Sequence, residues 1–259
     1  MRRFPLFLAV AALVGLAVGG ATAAGKAPTS GSCSGGDIGD GSYANYTVTG
    51  DCTVPDGVTL TISGNLTLKP GATFDAVHMS TVSVGGNILV GKGALLGLGC
   101  TPASNSPFYA PCSDTTPTTD VVGGNIVADQ PLTMYIDGDT IHGSLVSNGG
   151  GPGPSGPFLN LPIKDNSIGG NLVVQGWHGG WWGVIRNDVG GNVIVANNES
   201  VVTEGGPGTD SDANEIQSNF SIGGNLICHG NSPHAQINPA DGGGPNVVGG
   251  KKIGECAGL

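Results

Sequence analysis

A six-residue phrase, apolar-Gly-Gly-Asn-apolar-apolar, recurs along the chain and restricts the folds that it can adopt. The five full copies are Val84–Leu89, Val122–Val127, Ile168–Val173, Val189–Ile194 and Ile222–Ile227. Degenerate copies begin at Ile62, Ile141 and Val248. Between the positions that Asn occupies, successive copies are 22, 38, 19, 27, 21, 33 and 26 residues apart, so the shortest spacings lie near 20.

This spacing predicts a β-solenoid. Each copy continues into a short apolar run such as Val193-Ile194-Val195, and runs this short between glycines are typical of strands. A period near 20 is too short for a helix pair or a propeller blade, but it fits one solenoid coil. We expect an all-β parallel β-helix of about seven to nine coils of ~20–22 residues, with insertions where the spacing is longer.

The corner phrase itself suggests how each coil turns. Gly-Gly is expected to supply positive φ angles, and Asn tolerates the left-handed region and can bond to its own backbone. Asn at the same corner of every coil would also form a stacked amide ladder inside the coil. We therefore expect these residues to be structural and not a phosphate-binding loop, which would need a Lys and a following helix.

Composition supports an ordered fold. Glycine and proline contribute 49 and 17 of the 259 residues, a level that often indicates disorder. However, 38% of the residues are hydrophobic and only 11% are charged, which is the opposite of a disordered chain. Collagen is excluded because there is no strict Gly-X-Y period.

The N-terminus has the layout of a secretory signal peptide. Met1-Arg2-Arg3 is basic, an apolar run follows, and Ala21-Thr22-Ala23 is a small-x-small cleavage site. We expect residues 1–23 to be removed, 24–57 to form a linker and a disulfide-containing cap, and 58–259 to form the solenoid with a C-terminal disulfide cap. Because no second apolar stretch follows, the sequence predicts a secreted protein with no membrane association after cleavage.

All six cysteines follow the predicted cleavage site, and an even number in an exported chain indicates disulfides. Six cysteines allow fifteen pairings. Sequence proximity favours Cys33–Cys52, Cys100–Cys112 and Cys228–Cys256.

The predicted mature chain is acidic, with seven basic and 19 acidic residues. Such a surface disfavours nucleic acid and anionic lipid, because both bind to clustered Lys and Arg. It is compatible with calcium or a cationic partner.

Together, the coil length, the corner phrase and the leader resemble right-handed parallel β-helix proteins of the pectin-lyase-like kind. More closely, the phrase resembles secreted Gly-Gly-Asn repeat proteins of Gram-positive soil bacteria, whose usual ending is similar to Leu226–Cys256 here. The resemblance covers roughly Val58 to Cys256. It implies the fold but no particular activity, because this scaffold carries lyases, hydrolases, adhesins and inert coats.

The insertions indicate where a partner would bind. We call the position that Asn occupies in each copy of the phrase its marker. The distances of the insertions from the preceding marker predict that three insertions leave from one edge of the solenoid, namely 147–165, 197–219 and 230–246. The insertion 100–120 should leave from another corner. The first two would flank a candidate glycan-binding platform, because exposed Trp faces stack on sugar rings. Its residues are Trp177, His178, Trp181 and Trp182. The alternative is that the tryptophans pack inside the coil or cover an end.

One insertion also carries a candidate calcium site. Asp210, Asp212, Asn214 and Glu215 offer alternating oxygen ligands, as a calcium loop does. The pattern is not that of an EF-hand, and the alternative is a solvated polar loop. The sequence indicates no other cofactor.

Evidence for catalysis is weaker. Asp137-Gly138-Asp139 could supply the paired aspartates of a hydrolase but equally suits a corner turn. Arg186, the only arginine after the leader, is expected to pair with Asp188 or a neighbouring coil, and Lys164 is the only lysine near the loop edge. We therefore assign no catalytic residue. The sequence predicts a non-catalytic structural or surface-interaction protein that binds an extracellular glycan or cell-wall component. The alternative is a polysaccharide lyase or glycoside hydrolase on the same scaffold.

Overall fold

The structure, a computed structural model, describes residues 28–100, 118, 120–153, 159–200, 214–237 and 243–259. These residues form short strands and a final 3₁₀ turn at Glu255–Gly258. In chain order the strands are β1 (Gly31–Cys33), β2 (Gly36–Asp37), β3 (Gly41–Tyr43), β4 (Tyr46–Val48), β5 (Asp51–Thr53), β6 (Thr59–Ile62), β7 (Leu66–Leu68), β8 (Thr73–Ala76), β9 (Thr81–Val84), β10 (Ile88–Val90), β11 (Leu95–Leu98), β12 (Val121–Val122), β13 (Ile126–Asp129), β14 (Thr133–Asp137), β15 (Thr140–Ile141), β16 (Leu145–Asn148), β17 (Leu161–Lys164), β18 (Ser167–Ile168), β19 (Leu172–Gln175), β20 (His178–Gly179), β21 (Trp182–Ile185), β22 (Asp188–Val189), β23 (Val193–Ala196), β24 (Glu199–Ser200), β25 (Glu215–Gln217), β26 (Ser221–Ile222), β27 (Leu226–His229) and β28 (Lys252–Gly254).

The strands form three long parallel sheets. Sheet A has ten strands in the order β1-β4-β7-β10-β13-β16-β19-β23-β27-β28. Sheet B contains β2-β5-β8-β11-β14-β17-β21-β25, sheet C contains β3-β6-β9-β12-β15-β18-β22-β26, and β20 pairs with β24. The chain visits sheets A, B and C in turn, and eight coils have a strand in all three sheets. The predicted parallel β-solenoid is confirmed.

The core consists of side chains that stack in register from coil to coil. In sheet B, for example, inward residues of successive strands form one buried column. Its members are Cys52, Phe74, Leu96, Met134, Leu161 and Trp182. Since each fully buried apolar side chain contributes about 1.5–3 kcal/mol, this repeated burial is the main stabilising term.

The Gly-Gly corner lies between sheets C and A, and its chemistry differs from the prediction. None of these paired glycines is among the residues with positive φ, which occur at the other corners, for example at Asp165 and Asn197. Glycine is needed because the coils approach closely. A Cβ on Gly86 would lie 2.5 Å from Oδ1 of Asn65 and 2.8 Å from the carbonyl oxygen of Gly64. The predicted left-handed corner is therefore wrong, and the requirement is for space.

A ladder of side-chain hydrogen bonds runs along this corner. At each step the marker side chain accepts the backbone N–H of the next marker, as from Asn87 N to Asn65 Oδ1 at 2.8 Å. The ladder passes through Asn45, Asn65, Asn87, Asn125, Ser144, Asn171, Asn192, Asn225 and Lys251. These asparagines are half-buried or exposed, so the ladder lies at the surface and not inside the coil as predicted.

A second asparagine ladder, between sheets B and C, is buried. Asn166, Asn187, Asn219 and Asn246 are each at most 4% exposed. The amide of Asn187 shows the pattern: Oδ1 accepts the backbone N–H and the Nδ2–H of Asn166, at 3.1 and 3.0 Å. Its Nδ2 donates to the carbonyl of Ile163 at 2.9 Å. Three members of this ladder lie two residues before the apolar residue that opens the corner phrase, as in Asn166-Ser167-Ile168-Gly169-Gly170, and Asn219 lies three residues before it.

Disulfides join neighbouring coils at both ends. Cys33 is bonded to Cys52 and Cys228 to Cys256, as predicted. Cys100 is also disulfide-bonded, but its predicted partner Cys112 lies outside the described residues. Strands β1 to β5 pair in parallel with the following coils, so the sheets extend into the predicted cap at 24–57. No helix in the described ranges is long and apolar enough to cross a membrane.

The strand order confirms where the insertions leave the solenoid. Residues 149–160 connect β16 to β17, residues 201–214 connect β24 to β25, and the segment after β27 begins at the same corner between sheets A and B. Residues 99–120 connect β11 to β12, between sheets B and C. Three insertions therefore share one edge of the solenoid.

We predict that Asn187→Ala destabilises the protein far more than Asn192→Ala, the matched change in the surface ladder. The first removes buried partners of Asn166 and Ile163 and should cost about 3 kcal/mol or more. The second exposes its partners to water and should cost about 1 kcal/mol. Urea unfolding followed by circular dichroism measures both, and equal losses would show that the buried ladder has no special role.

Candidate functional site

The tryptophans of the predicted glycan platform are buried. Trp177 and Trp182 are 0% exposed and Trp181 is 7% exposed. Trp182 lies in the inward column of sheet B, and Trp177 also belongs to the core. An exposed ring face, which sugar stacking requires, is therefore absent at these three residues, and the predicted platform is corrected to a packing feature.

Two glycines explain why these rings can lie against the backbone. A Cβ on Gly179 would lie 2.1 Å from the ring of Trp177, and one on Gly183 would lie 2.1 Å from the ring of Trp181. Each ring therefore covers the glycine two residues later on the same strand face. What remains exposed at this corner is the fourth platform residue, His178, whose Nδ1 lies 3.0 Å from Oε2 of Glu199 in the next coil.

The calcium hypothesis is only partly within the described ranges. Asp210 and Asp212 lie outside the described residues. The amide of Asn214 contacts the hydroxyl of Ser200 and the carbonyl of Pro233, and Glu215 is 2% exposed on sheet B. Among the described residues, no three or more His, Cys, Asp or Glu are grouped so that they could hold a metal ion.

The structure instead brings charged side chains together on the outer face of sheet B. Asp137 and Lys164 are register neighbours on β14 and β17, and Glu215 projects from β25 on the same face. We call these three residues the sheet B cluster. Lys164 is 7% exposed, and its Nζ lies 5.0 Å from the centroid of the Trp181 ring, a cation–π contact.

Burial changes the chemistry of this face. It lowers the pKa of Lys164, while the carboxylates of Asp137 and Glu215 act in the opposite direction. Beside the cluster, Arg186 donates from Nε and a terminal nitrogen to Asp165 of the preceding coil, at 2.7 and 2.6 Å. This bidentate bond raises the pKa of Arg186 and confirms the expected pairing with a neighbouring coil. A lysine of lowered pKa between carboxylates is a possible acid–base group.

The buried asparagine ladder ends in two aspartates. Asp139 donates its backbone N–H to Asn166 Oδ1 at 2.9 Å, and Asp120 precedes the neighbouring strand at the same level. Both side chains are 1% exposed. Gly138 between Asp137 and Asp139 has φ of 84°, so the corner-turn interpretation of this segment is correct. Asp139 is too buried to act with Asp137 on a substrate.

Burial favours the neutral form of both carboxyl groups. Burial raises the pKa of Asp120 to about 7, against hydrogen bonds from the amides of Val82 and Gly99. Burial, followed by the charges of Asp120 and Asp137, raises the pKa of Asp139 well above its ordinary value. Neither side-chain oxygen of Asp139 accepts a well-formed hydrogen bond. The nearby backbone of Asp137 lowers the pKa of Asp139, but by less than burial raises it.

Sequence reasoning did not find the sheet B cluster as a unit. Its members are separated by up to 78 residues and share no motif, because what they share is an outward register position. The coil length was an available signal: outward positions in successive coils can be aligned once the corner phrase is located. Comparison of the chain with protein-family models, with curated proteins and with solved structures finds no match in any of the three.

We predict that the protein becomes less stable as the pH rises. Because Asp120 and Asp139 bind protons more tightly when folded than when unfolded, their contribution is complete below about pH 4 and is lost as the pH rises through 7. The loss should be on the order of a few kcal/mol. Asp139→Asn, which extends the buried amide ladder, should raise stability at pH 8 and flatten this dependence.

Urea unfolding between pH 4 and pH 8 tests this prediction. Asp188→Asn, which removes an exposed carboxylate from sheet C, is the matched control and should leave the pH dependence as it is. A wild-type protein whose stability rises from pH 4 to pH 8 would contradict the raised pKa values of the two buried acids.

Proposed function

We propose that the protein is a secreted, non-catalytic structural or surface-interaction protein. The observation that carries this proposal is the corner ladder, which links nine consecutive markers by hydrogen bonds. Together with the disulfides at both ends, it favours a rigid rod that resists unfolding outside the cell. The basic and apolar leader supports export.

The outer surfaces of the solenoid support an interaction role. Outward residues repeat at a spacing of about 4.8 Å from coil to coil, so one chemical group can be presented many times along a straight line. Such a surface suits an extended partner, for example a cell-wall glycan. Because the tryptophans are buried, a glycan would have to bind to the outer faces of the sheets.

The second candidate function is a carbohydrate-active enzyme, and the sheet B cluster is the observation that favours it. Lys164 with its lowered pKa could take a proton, and Asp137 could polarise or protonate a sugar substrate. Against this candidate, Lys164 and Glu215 are almost completely covered, so a polymer would have to displace the groups that cover them.

Incubation with polygalacturonate and alginate, with measurement of unsaturated products and reducing ends, separates the two candidates. We predict no turnover above buffer, together with co-sedimentation of the protein with insoluble cell-wall material. Turnover that is lost in Asp137→Ala or Lys164→Ala would overturn the structural proposal. The matched control is Asp129→Ala, which removes an outward carboxylate from sheet A of the same coil.

A further inference from the structure

The outer face of sheet A carries an unbroken column of aliphatic side chains. Register pairing aligns one outward residue from each of seven consecutive strands of sheet A, which are β10, β13, β16, β19, β23, β27 and β28. We call this the aliphatic column, and its members are Leu89, Val127, Val146, Val173, Ile194, Ile227 and Ile253. Leu89, Val127 and Ile253 are 40%, 37% and 42% exposed, and the other four are half-buried.

The solenoid fold does not require this column. The equivalent outward column of sheet C contains hydroxyl and carboxylate side chains in most of its positions. Its members are Ser42, Thr61, Ser83, Val121, Thr140, Ser167, Asp188 and Ser221. From β10 onward the two faces therefore have opposite character, whereas the first three strands of sheet A carry Ser32, Thr47 and Thr67 at this position. A contiguous, partly exposed aliphatic stripe indicates an interaction site.

The face around the column is nearly uncharged. None of the insertions leaves from the corner between sheets C and A, where the surface ladder of asparagines borders the column. On the other side lies a second outward column, formed by Asp129, Asn148, Gln175, Ala196 and His229. Asp129 is the one acidic side chain in these two columns, although the whole chain has a net charge of −10.

The scarcity of charged side chains on sheet A indicates which kind of partner would bind there. An acidic protein repels other copies of itself unless they meet through an uncharged surface. Sheet A provides that surface. Its side chains are aliphatic and not aromatic, which suits packing against another sheet better than stacking on sugar rings.

The available area fits a weak association with a second copy. The seven strands of the aliphatic column, spaced by about 4.8 Å, make a face about 29 Å long, and four residues at about 3.3 Å make it about 13 Å wide. Two such faces would bury about 750 Å², which is below the ~1,000 Å² expected of a stable specific interface and fits a reversible dimer.

We propose that two copies of this chain associate face to face through sheet A, about a two-fold axis near Val173. In a two-fold interface the same surface is used by both copies, and the residue on the axis meets its own counterpart. Val173 is the middle of the seven residues of the aliphatic column. The two sheets pack about 10 Å apart, with their columns interdigitated.

Sedimentation velocity of the full mature protein over a range of concentrations tests this proposal. We expect the wild type to form a reversible dimer. Val173→Lys places two ammonium groups together at the axis and should weaken the dimer at least about tenfold. Ser167→Lys, an outward change on sheet C one coil away, is the matched control and should dimerise like the wild type. Circular dichroism and the Tm establish that each variant is folded.

A gentler variant keeps the test valid if Val173→Lys does not fold. Combined Val146→Thr, Val173→Thr and Ile194→Thr retains β-branched side chains and should also weaken the dimer. A wild type that is monomeric up to about 1 mM would overturn the proposal. Equal weakening of the dimer by Ser167→Lys and Val173→Lys would also overturn the proposal. A monomeric protein whose aliphatic column binds neutral polysaccharide or vesicles would overturn it too. These outcomes do not depend on the turnover assay, which concerns sheet B.

Discussion

The close approach of successive coils at the Gly-Gly-Asn corner is the constraint on which the rest of the structure depends. There the backbone of one coil lies so near the next that a Cβ on Gly191 would be 2.5 Å from Oδ1 of Asn171. With no side chain in the way, each marker accepts a hydrogen bond from the next coil and fixes the register of sheet A. Since a register change of one residue would reverse every side chain, this corner also decides which residues enter the core.

The register in turn gives the three faces different chemistry. Sheet A presents aliphatic side chains, sheet C presents mainly hydroxyl groups, and sheet B carries ionisable groups such as Lys164 and Glu215 that are almost completely buried. At the corner between sheets B and C, the ladder of buried amides ends in Asp120 and Asp139, whose pKa values are raised by burial. A single backbone geometry therefore accommodates a dimerisation surface, a titratable pair and a cluster of charges at separate places.

Much of this architecture could be predicted from the sequence, because the corner phrase marks each coil. The parallel strands and the shared edge of three insertions follow from counting residues between markers, and the disulfides of Cys33 and Cys228 follow from sequence proximity. The fate of the tryptophans could not be predicted in this way. Whether Trp177 is exposed depends on Gly179, which leaves room for the ring against the backbone, and the sequence alone does not distinguish such a glycine from a turn residue. The buried ladder was not predicted, although Asn166 and Asn187 lie two residues before the corner phrase and Asn219 lies three before it. An asparagine beside a turn equally suits an exposed corner, so the spacing alone does not indicate burial.

The most direct test of the corner is the stability of Gly191→Ala relative to Gly39→Ala. A Cβ on Gly191 would overlap the side chain of Asn171, whereas one on Gly39 would meet nothing within 4 Å, and neither glycine has positive φ. Urea unfolding should show a loss of about 1–3 kcal/mol for Gly191→Ala and a change within about 0.5 kcal/mol for Gly39→Ala. Equal effects of the two substitutions would contradict a register that is set by close approach at the corner.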